Sequence, residues 1–241
     1  MNKKTRSNIY KTQSLEYDEL ISKEDYKRNI LKTILKIADI KNKIVIDSGA
    51  GTGRLCETVF PYAKRVFGFD ISEEMLDTAR KKFSKSQLKK IVFKKCDHRN
   101  MDLPDKTADL IMSGWSVCHL VKWNWKNRIK ELDNVLKEFE RLLKKNGTII
   151  IFETLGTGTA EPVPPTDKLA EYYESLEKRF GFKKKIISTD YLFDDKNQCE
   201  RLVSFFFGQE TVSKIFNKKI VKFKKEKVRV PEFTGVWHKT I

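Results

Sequence analysis

No run of apolar residues in this 241-residue sequence approaches the roughly 18–20 that a membrane span requires, although 39% of the residues are hydrophobic. The apolar residues come in short blocks instead. The opening Met1-Asn2-Lys3-Lys4-Thr5-Arg6 is basic, but no apolar stretch follows it. It is not read as a secretory signal, and the expected location is cytoplasmic. Residues 1–13 are polar and are expected to form a loose tail. Cysteine is sparse and scattered: Cys56, Cys96, Cys118 and Cys199 form no C-x-x-C, and no His stands near them at zinc-ligand spacing. That argues against a disulfide framework and against a zinc site, and the expectation is reduced, buried thiols. There is also no internal repeat, no low-complexity linker and no second domain boundary. The chain is read as one domain over 1–241. It has a tail and helical cover over 1–40, a ligand-binding core over 41–155, and a C-terminal part over 156–241 with a helical lid at about 195–217.

Negative charge is in deficit: 49 Lys and Arg stand against 33 Asp and Glu, a formal net charge of +16. Such a balance can mark a nucleic-acid partner through phosphate neutralisation. Here lysine outnumbers arginine and occurs as pairs and triplets along the chain, whereas arginine is the better tool for bidentate phosphate or base contacts. The reading is solvated faces, and it weighs against a nucleic-acid substrate.

What is present is an alternation of strand and helix. Residues 22–39 carry Tyr26, Ile30, Ile34 and Ile37 at helical spacing, opened by a capping-box-like Ser22-Lys23-Glu24-Asp25. Strands are expected at 43–47, 65–70, 91–95, 109–112 and 148–152. Helices are expected after Gly53, from Ser72 to about Phe83, and over 127–145, where Asn146-Gly147 would close the last one. This order implies βαβ units and a doubly wound, mostly parallel α/β sheet. Further on, a helix through Leu169–Phe180, a strand over 184–192, the helical stretch at 195–217 and a last strand near 232–239 complete the pattern.

The strongest local signal is Val45-Ile46-Asp47-Ser48-Gly49-Ala50-Gly51-Thr52-Gly53-Arg54. A glycine turn after a strand lets backbone approach a ligand where any Cβ would intrude, at the carboxyl-end crevice of such a sheet. Dinucleotide sites use G-x-G-x-x-G; here the spacing is G-x-G-x-G and Arg54 stands where the third glycine belongs. Asp47 would also repel a pyrophosphate, and suits a ligand carrying a cationic ammonium or sulfonium. Asp70, ending the second strand, is placed to accept ribose hydroxyls. Asp97, after the third, is placed to accept an adenine amino group, with His98 beside it.

On these residues the segment 43–153 resembles the class I S-adenosylmethionine (SAM)-dependent methyltransferases. It looks most like the bacterial group that includes quinone-biosynthesis C-methyltransferases and many small-molecule methyltransferases. Asp47-Ser48-Gly49-Ala50-Gly51-Thr52-Gly53 matches the first motif of that family, Phe69-Asp70-Ile71-Ser72-Glu73-Glu74-Met75-Leu76 the second, and Asp97 its adenine-contacting acid. Leu142–Thr148 matches the helix end before the fifth strand, with Asn146 where the family often has Gly. The resemblance implies a Rossmann-like, seven-stranded sheet with an antiparallel C-terminal edge. It implies SAM as cofactor and S-adenosylhomocysteine as product. It also implies Ile71 and Met75 along the adenine and ribose, and Ser113 and Gly114 near the methionine moiety.

Methyl transfer from a sulfonium is an in-line displacement in which charge is lost, so orientation and desolvation should supply most of the acceleration. The loop Ser113–His119 leaves the fourth strand into the crevice. Trp115 is expected to shape the acceptor pocket, and His119 to act as base or orienting donor. Phe205 and Phe206, and Tyr26 by resemblance, are expected to line an apolar acceptor site from a lid. No N-P-P-Y or D-P-P-Y follows the fourth strand, no Pro precedes Cys118, and Asp133-Asn134 falls inside a helix. Base methylation signatures and a catechol-type metal site are therefore absent, and no metal is expected. The expectation is a small-molecule methyltransferase acting as monomer or homodimer. An RNA methyltransferase and a non-catalytic SAM-binding regulator are the alternatives.

Overall fold

The computed structural model describes residues 13–217 and 219–241, so residues 1–12 of the expected tail lie outside the described residues. In chain order the elements are α1 (Ser14–Ser22), α2 (Asn29–Ile37), β1 (Ile44–Ser48), α3 (Arg54–Val59), β2 (Arg65–Asp70), α4 (Glu73–Lys81) and β3 (Ile91–Lys95). There follow β4 (Ala108–Gly114), α5 (Val117–Trp123), α6 (Arg128–Leu142), β5 (Leu143–Thr157), α7 (Asp167–Lys178) and β6 (Lys183–Ser188). The remainder is β7 (Tyr191–Phe193), α8 (Lys196–Phe207), α9 (Gln209–Asn217), β8 (Lys222–Lys224), β9 (Lys227–Val230) and β10 (Glu232–Thr240). The chain forms two compact units. One holds 31–153, 166–185 and 236–241; the other holds the described part of 1–30, with 154–165 and 186–235.

The larger unit is organised by a seven-stranded sheet of order β3-β2-β1-β4-β5-β10-β6. Strands β1 to β5 run parallel, with Asp47 opposite Gly68 of β2 and Met112 of β4, and Gly114 opposite Phe152 of β5. Val45, Ile46, Leu110, Ile111, Ile149 and Ile150 are all fully buried, as β-branched and leucine runs covered on both faces must be. Order reverses between β1 and β4, which makes their carboxyl ends the crevice of a doubly wound sheet. The chain end lies against the start of β5: Asn146 donates its N–H to the Ile241 carbonyl, and Ile241 returns one to Gly147, each at 2.9 Å. The fold is the mostly parallel sheet with an antiparallel C-terminal strand expected from the sequence.

That pairing accounts for one departure. Asn146 has the left-handed φ of +64° expected of it, yet α6 has already ended at Leu142, and Asn146 turns the backbone within β5. A second departure concerns the single helix over 22–39. Ser22 ends α1, and a turn intervenes in which Asp25 takes φ +57° and its carboxylate accepts from the Asn29 and Ile30 N–H groups at 2.7 and 2.9 Å. The cap belongs to Asp25, and Tyr26 lies in the turn rather than on a helix.

The smaller unit has its own core, in which Leu20, Tyr191, Phe193, Leu202, Val212 and Ile215 are buried together with Val228 and Val230. Gly208, at φ +90°, divides the stretch expected as one helix at 195–217 into α8 and α9. The strand expected over 184–192 is likewise two, β6 and β7, parted at Thr189-Asp190. Asp190 is buried there, and its carboxylate accepts from the Arg229 guanidinium and the Glu232 N–H. A three-stranded antiparallel sheet β7-β9-β8 was not expected.

Candidate functional site

The glycine turn between β1 and α3 is held by its own hydrogen bonds. Gly49 and Ala50 both donate N–H to the Phe69 carbonyl, at 2.7 and 2.8 Å, and Gly53 donates to Ala50 at 2.8 Å. Gly51 donates to Asp70 Oδ2 at 2.9 Å. Gly49, Gly51 and Gly53 all have positive φ, +82°, +55° and +84°, which an L side chain takes only with strain. Four N–H groups of the turn, those of Gly49, Ala50, Gly51 and Gly53, are thus already engaged, and α3 is only six residues long.

Beneath the turn Asp47 is buried. Its Oδ2 accepts from the Cys56 N–H at 3.1 Å and the Cys56 thiol at 3.2 Å, while Oδ1 has no partner. Burial is the main reason its carboxyl is pushed up to about 7, against the lowering effect of the Cys56 hydrogen bonds. Ser113 Oγ, next along β4 from the register partner of Asp47, and Thr52 Oγ1 in the turn are also buried without a partner. Buried polar atoms are ordinarily hydrogen-bonded, and a carboxylate oxygen accepts only, so Asp47 Oδ1 calls for a donor. This donor set fits a cationic ammonium and does not fit a pyrophosphate.

Asp70 spends one acceptor position of each oxygen on the protein: Oδ2 on Gly51, and Oδ1 on the Ser72 N–H at 2.9 Å. The Ile71 N–H also bears on the carboxylate, and the acceptor positions that remain suit hydroxyl donors. Burial raises its pKa. Ser72 caps α4 by accepting from Met75 N–H, which fixes buried Met75 close to the turn; a Cβ on Gly51 would lie 3.3 Å from Met75 Cε. Ile71 is half-exposed at 50%.

Asp97 is not a free acceptor. Arg99 holds it through N–H and Nε on Oδ1 and through Nη2 on Oδ2, at 2.7–2.9 Å, and this pairing keeps its carboxyl below the usual range. Only Oδ2 keeps an acceptor position. Arg99 also pairs with Glu131 of α6 at 2.9 Å. His98 spans the crevice: Nδ1 lies 2.6 Å from Ser48 Oγ and Nε2 2.9 Å from Ser116 Oγ. Burial drops its pKa to about 4, so the ring is neutral and one serine donates while the other accepts.

Past β4, Trp115 has φ +51°, an outlier for a bulky residue. The Arg54 guanidinium carbon lies 4.0 Å from its ring centroid, and Phe152 stacks on it at 6.0 Å. Trp115 donates its N–H to the Phe152 carbonyl at 2.7 Å. His119, on α5, stacks on Trp123 of the same helix at 5.8 Å. Gly114 packs tightly, since a Cβ there would meet Leu55 at 2.9 Å.

One group escaped the sequence reading. Glu153, at the carboxyl end of the buried part of β5, is 1% exposed, accepts from the Cys118 N–H at 3.1 Å and from the Tyr172 hydroxyl at 3.3 Å, and is pushed by burial to about 7. An acid directly after Thr148–Phe152 is the only sign of it in the sequence. The three residues expected as a lid belong to the smaller unit. Phe206 and Phe207 pack on that unit's core in a T-shaped pair at 4.9 Å, with Tyr17 against Phe206, and Phe205 is half-buried. Tyr26 is 41% exposed. Asp133 lies on the surface of α6 in an ion pair with Lys137. Cys56, Cys118 and Cys199 are buried free thiols, whereas Cys96 is half-buried with its thiol on the Asn100 carbonyl.

Residues 46–151 match the family model described as a methyltransferase domain. Among curated proteins the chain is 28% identical over 165 residues to a demethylmenaquinone methyltransferase of Lactobacillus johnsonii, covering 68% of this chain and 61% of that one. It is 29% identical over 140 residues to a malonyl-[acyl-carrier protein] O-methyltransferase of Hamiltonella defensa, covering 58% and 46%. The chain thus spans less than two thirds of the length of these relatives. Among solved structures it shares its fold with a SAM-dependent methyltransferase from Aquifex aeolicus, at TM-score 0.53 and 18% identity, over 90% of this chain and 97% of that one. Sequence match, sheet order and the acid-lined glycine turn agree: residues 46–151 are similar to a methyltransferase domain, and the chain shares the fold of the class I SAM-dependent methyltransferases.

Proposed function

We propose that this protein transfers a methyl group from SAM to a small-molecule acceptor and releases S-adenosylhomocysteine. The observation that carries the reading is Asp47: a buried carboxylate with one partnerless oxygen, under a glycine turn in which the N–H groups of Gly49, Ala50, Gly51 and Gly53 are bonded within the protein. The names of the relatives, a demethylmenaquinone methyltransferase and a malonyl-[acyl-carrier protein] O-methyltransferase, support a methyltransferase with a non-nucleic-acid acceptor.

SAM, when bound, supplies an electrophilic methyl group. Asp47 Oδ1 receives the ammonium, with Ser113, Thr52 and the backbone of Gly49–Gly53 around the amino-acid end. Asp70 receives the ribose hydroxyls, Ile71 and Met75 flank the base, and the open position on Asp97 Oδ2 accepts its amino group. His98 acts indirectly by tying the ends of β1 and α5 together. Trp115, fixed by Arg54 and Phe152, presents an apolar face that excludes water from the acceptor. His119 takes a proton from acceptors that must lose one. The chain works in the cytoplasm as monomer or homodimer.

The test is calorimetric titration of the intact chain with SAM and with S-adenosylhomocysteine, repeated with Asp70→Ala. Micromolar-range binding that collapses in the variant is the expected result. Absence of binding by the intact protein would refute the proposal.

A further inference from the structure

The positive charge is not evenly spread. Residues 218–229, Lys-Lys-Ile-Val-Lys-Phe-Lys-Lys-Glu-Lys-Val-Arg, hold seven Lys or Arg and one Glu, so a net +6 of the total +16 falls in these residues. Residues 219–229 lie in the smaller unit, where β8 and β9 form a hairpin. Cross-strand partners share a face, and the register pairs Lys222 with Arg229, Arg229 with Leu192, and Lys224 with Lys227. One face of the β7-β9-β8 sheet therefore carries Lys222, Lys224, Lys227 and Arg229. The opposite face turns Val228 and Phe193 into the core.

The cationic face lines a groove of about 870 Å³, which also takes in Lys225, Glu226, Asp194 and Tyr26. Two of its charges are offset within the protein: Asp194 pairs with Lys23 at 2.6 Å, and Arg229 pairs with buried Asp190. Four lysines then stand against Glu226 and an Asp194 already paired with Lys23, so positive charge stays in excess along the groove. One aromatic ring accompanies them on that side, Tyr26 at 41% exposure, whereas Phe223 stands opposite Val228 on the other face of the sheet.

We infer that this groove binds single-stranded nucleic acid, with phosphates along Lys222, Lys224, Lys225 and Lys227 and a base against Tyr26. The cations are lysine point charges on strands, without the glycine loop or arginine fork that grips one terminal phosphate, so they suit a repeated phosphate track. An exposed ring beside such a track is a stacking platform of single-strand binders, which work without sequence preference. The groove is concave, which favours a strand over a flat bilayer. The inference is independent of the methyl-transfer reading, because it rests on the smaller unit alone.

The experiment is fluorescence anisotropy of a labelled twelve-nucleotide oligouridylate with the full chain, between 50 and 200 mM salt. Parallel flotation uses phosphatidylserine-containing vesicles. A single strand loses about 0.7 in the slope of log affinity on log salt for each phosphate neutralised, so a slope of about −3 is expected. Replacing the four lysines by Gln (K222Q, K224Q, K225Q, K227Q) should abolish that slope with the melting temperature unchanged. Tyr26→Ala should weaken binding roughly fivefold or more. Salt-insensitive binding, binding unaltered in the fourfold variant, or capture by vesicles but not by the oligonucleotide would each overturn the assignment.

Discussion

Ser116 occupies the space in which a side chain on residue 49 would begin: a Cβ built on Gly49 falls 2.0 Å from Ser116 Oγ and 2.9 Å from His98 Cε1. The glycine is therefore required twice, by its φ of +82° and by its neighbours. Gly49→Ala should destabilise by about 2 kcal/mol or more and lower the melting temperature by roughly 5 °C. Adding Ser116→Gly should recover the larger share of the steric part, and leave the His98 contact and the backbone part. A single variant melting within a degree of the parent would show that the turn tolerates both.

His98, bridging Ser48 and Ser116, binds a proton near pH 6.5 when unfolded and only near 4 when folded. The unfolded chain therefore takes up more protons between these values, and stability falls as pH falls from 6.5 toward 4, by about 3 kcal/mol. His98→Asn removes that share. Urea melts of both proteins across this window should show their stability difference narrowing on acidification; a difference independent of pH would contradict the buried, neutral assignment.

Asp47 is the reverse case. Its folded pKa of about 7 lies above the ordinary 3.8, so ionising it costs stability progressively as pH rises through that interval. A cationic ligand needs it ionised. SAM affinity should therefore rise up to about tenfold per pH unit from 5.5 to 7 and level off above. Calorimetry with Asp47→Asn should give weaker binding and lose this dependence. A variant with the same pH profile as the parent would remove Asp47 from ammonium recognition.

Glu153 holds the first turn of α5 through the Cys118 N–H. Glu153→Ala leaves that donor and the Tyr172 hydroxyl buried without an acceptor and opens a cavity, which should cost about 3 kcal/mol. Glu153→Gln keeps an acceptor and should cost under about 1 kcal/mol. It should also remove the share of the stability loss between pH 4.5 and 7 that Glu153 contributes, leaving the loss from Asp47 and the opposing gain from His98, since the raised carboxyl is harder to ionise in the fold. Chemical denaturation at both ends of the window separates the two variants.

The larger unit was legible because its signals are local. A β-branched run, a glycine turn and an acid at fixed spacing specify β1, the turn and Asp47 within ten residues, and strand–helix alternation supplies the sheet. What was illegible depends on partners distant in sequence. Asn146 looks like a helix cap until the chain end pairs with it, and Asp25 outcompetes Ser22 as a cap because the turn at Thr189-Asp190 receives its N–H. Asp97 reads as an open acceptor until Arg99 folds back on it. The small sheet hid because Lys222–Arg229 alternates charge with too few apolar residues to announce strands. The Phe205–Phe207 triplet shows its aromatic content in the sequence but not the core it packs on.

The stacking of Arg54 on Trp115 joins the helix that follows the glycine turn to the loop that leaves β4. An indole under a guanidinium, with Phe152 on one side, emits according to that geometry. Whatever displaces the turn disturbs Arg54 and so the light Trp115 gives off. The protein thus carries its own optical gauge of the crevice, readable without a label, with Trp115→Phe as the blank that isolates it from Trp123, Trp125 and Trp237.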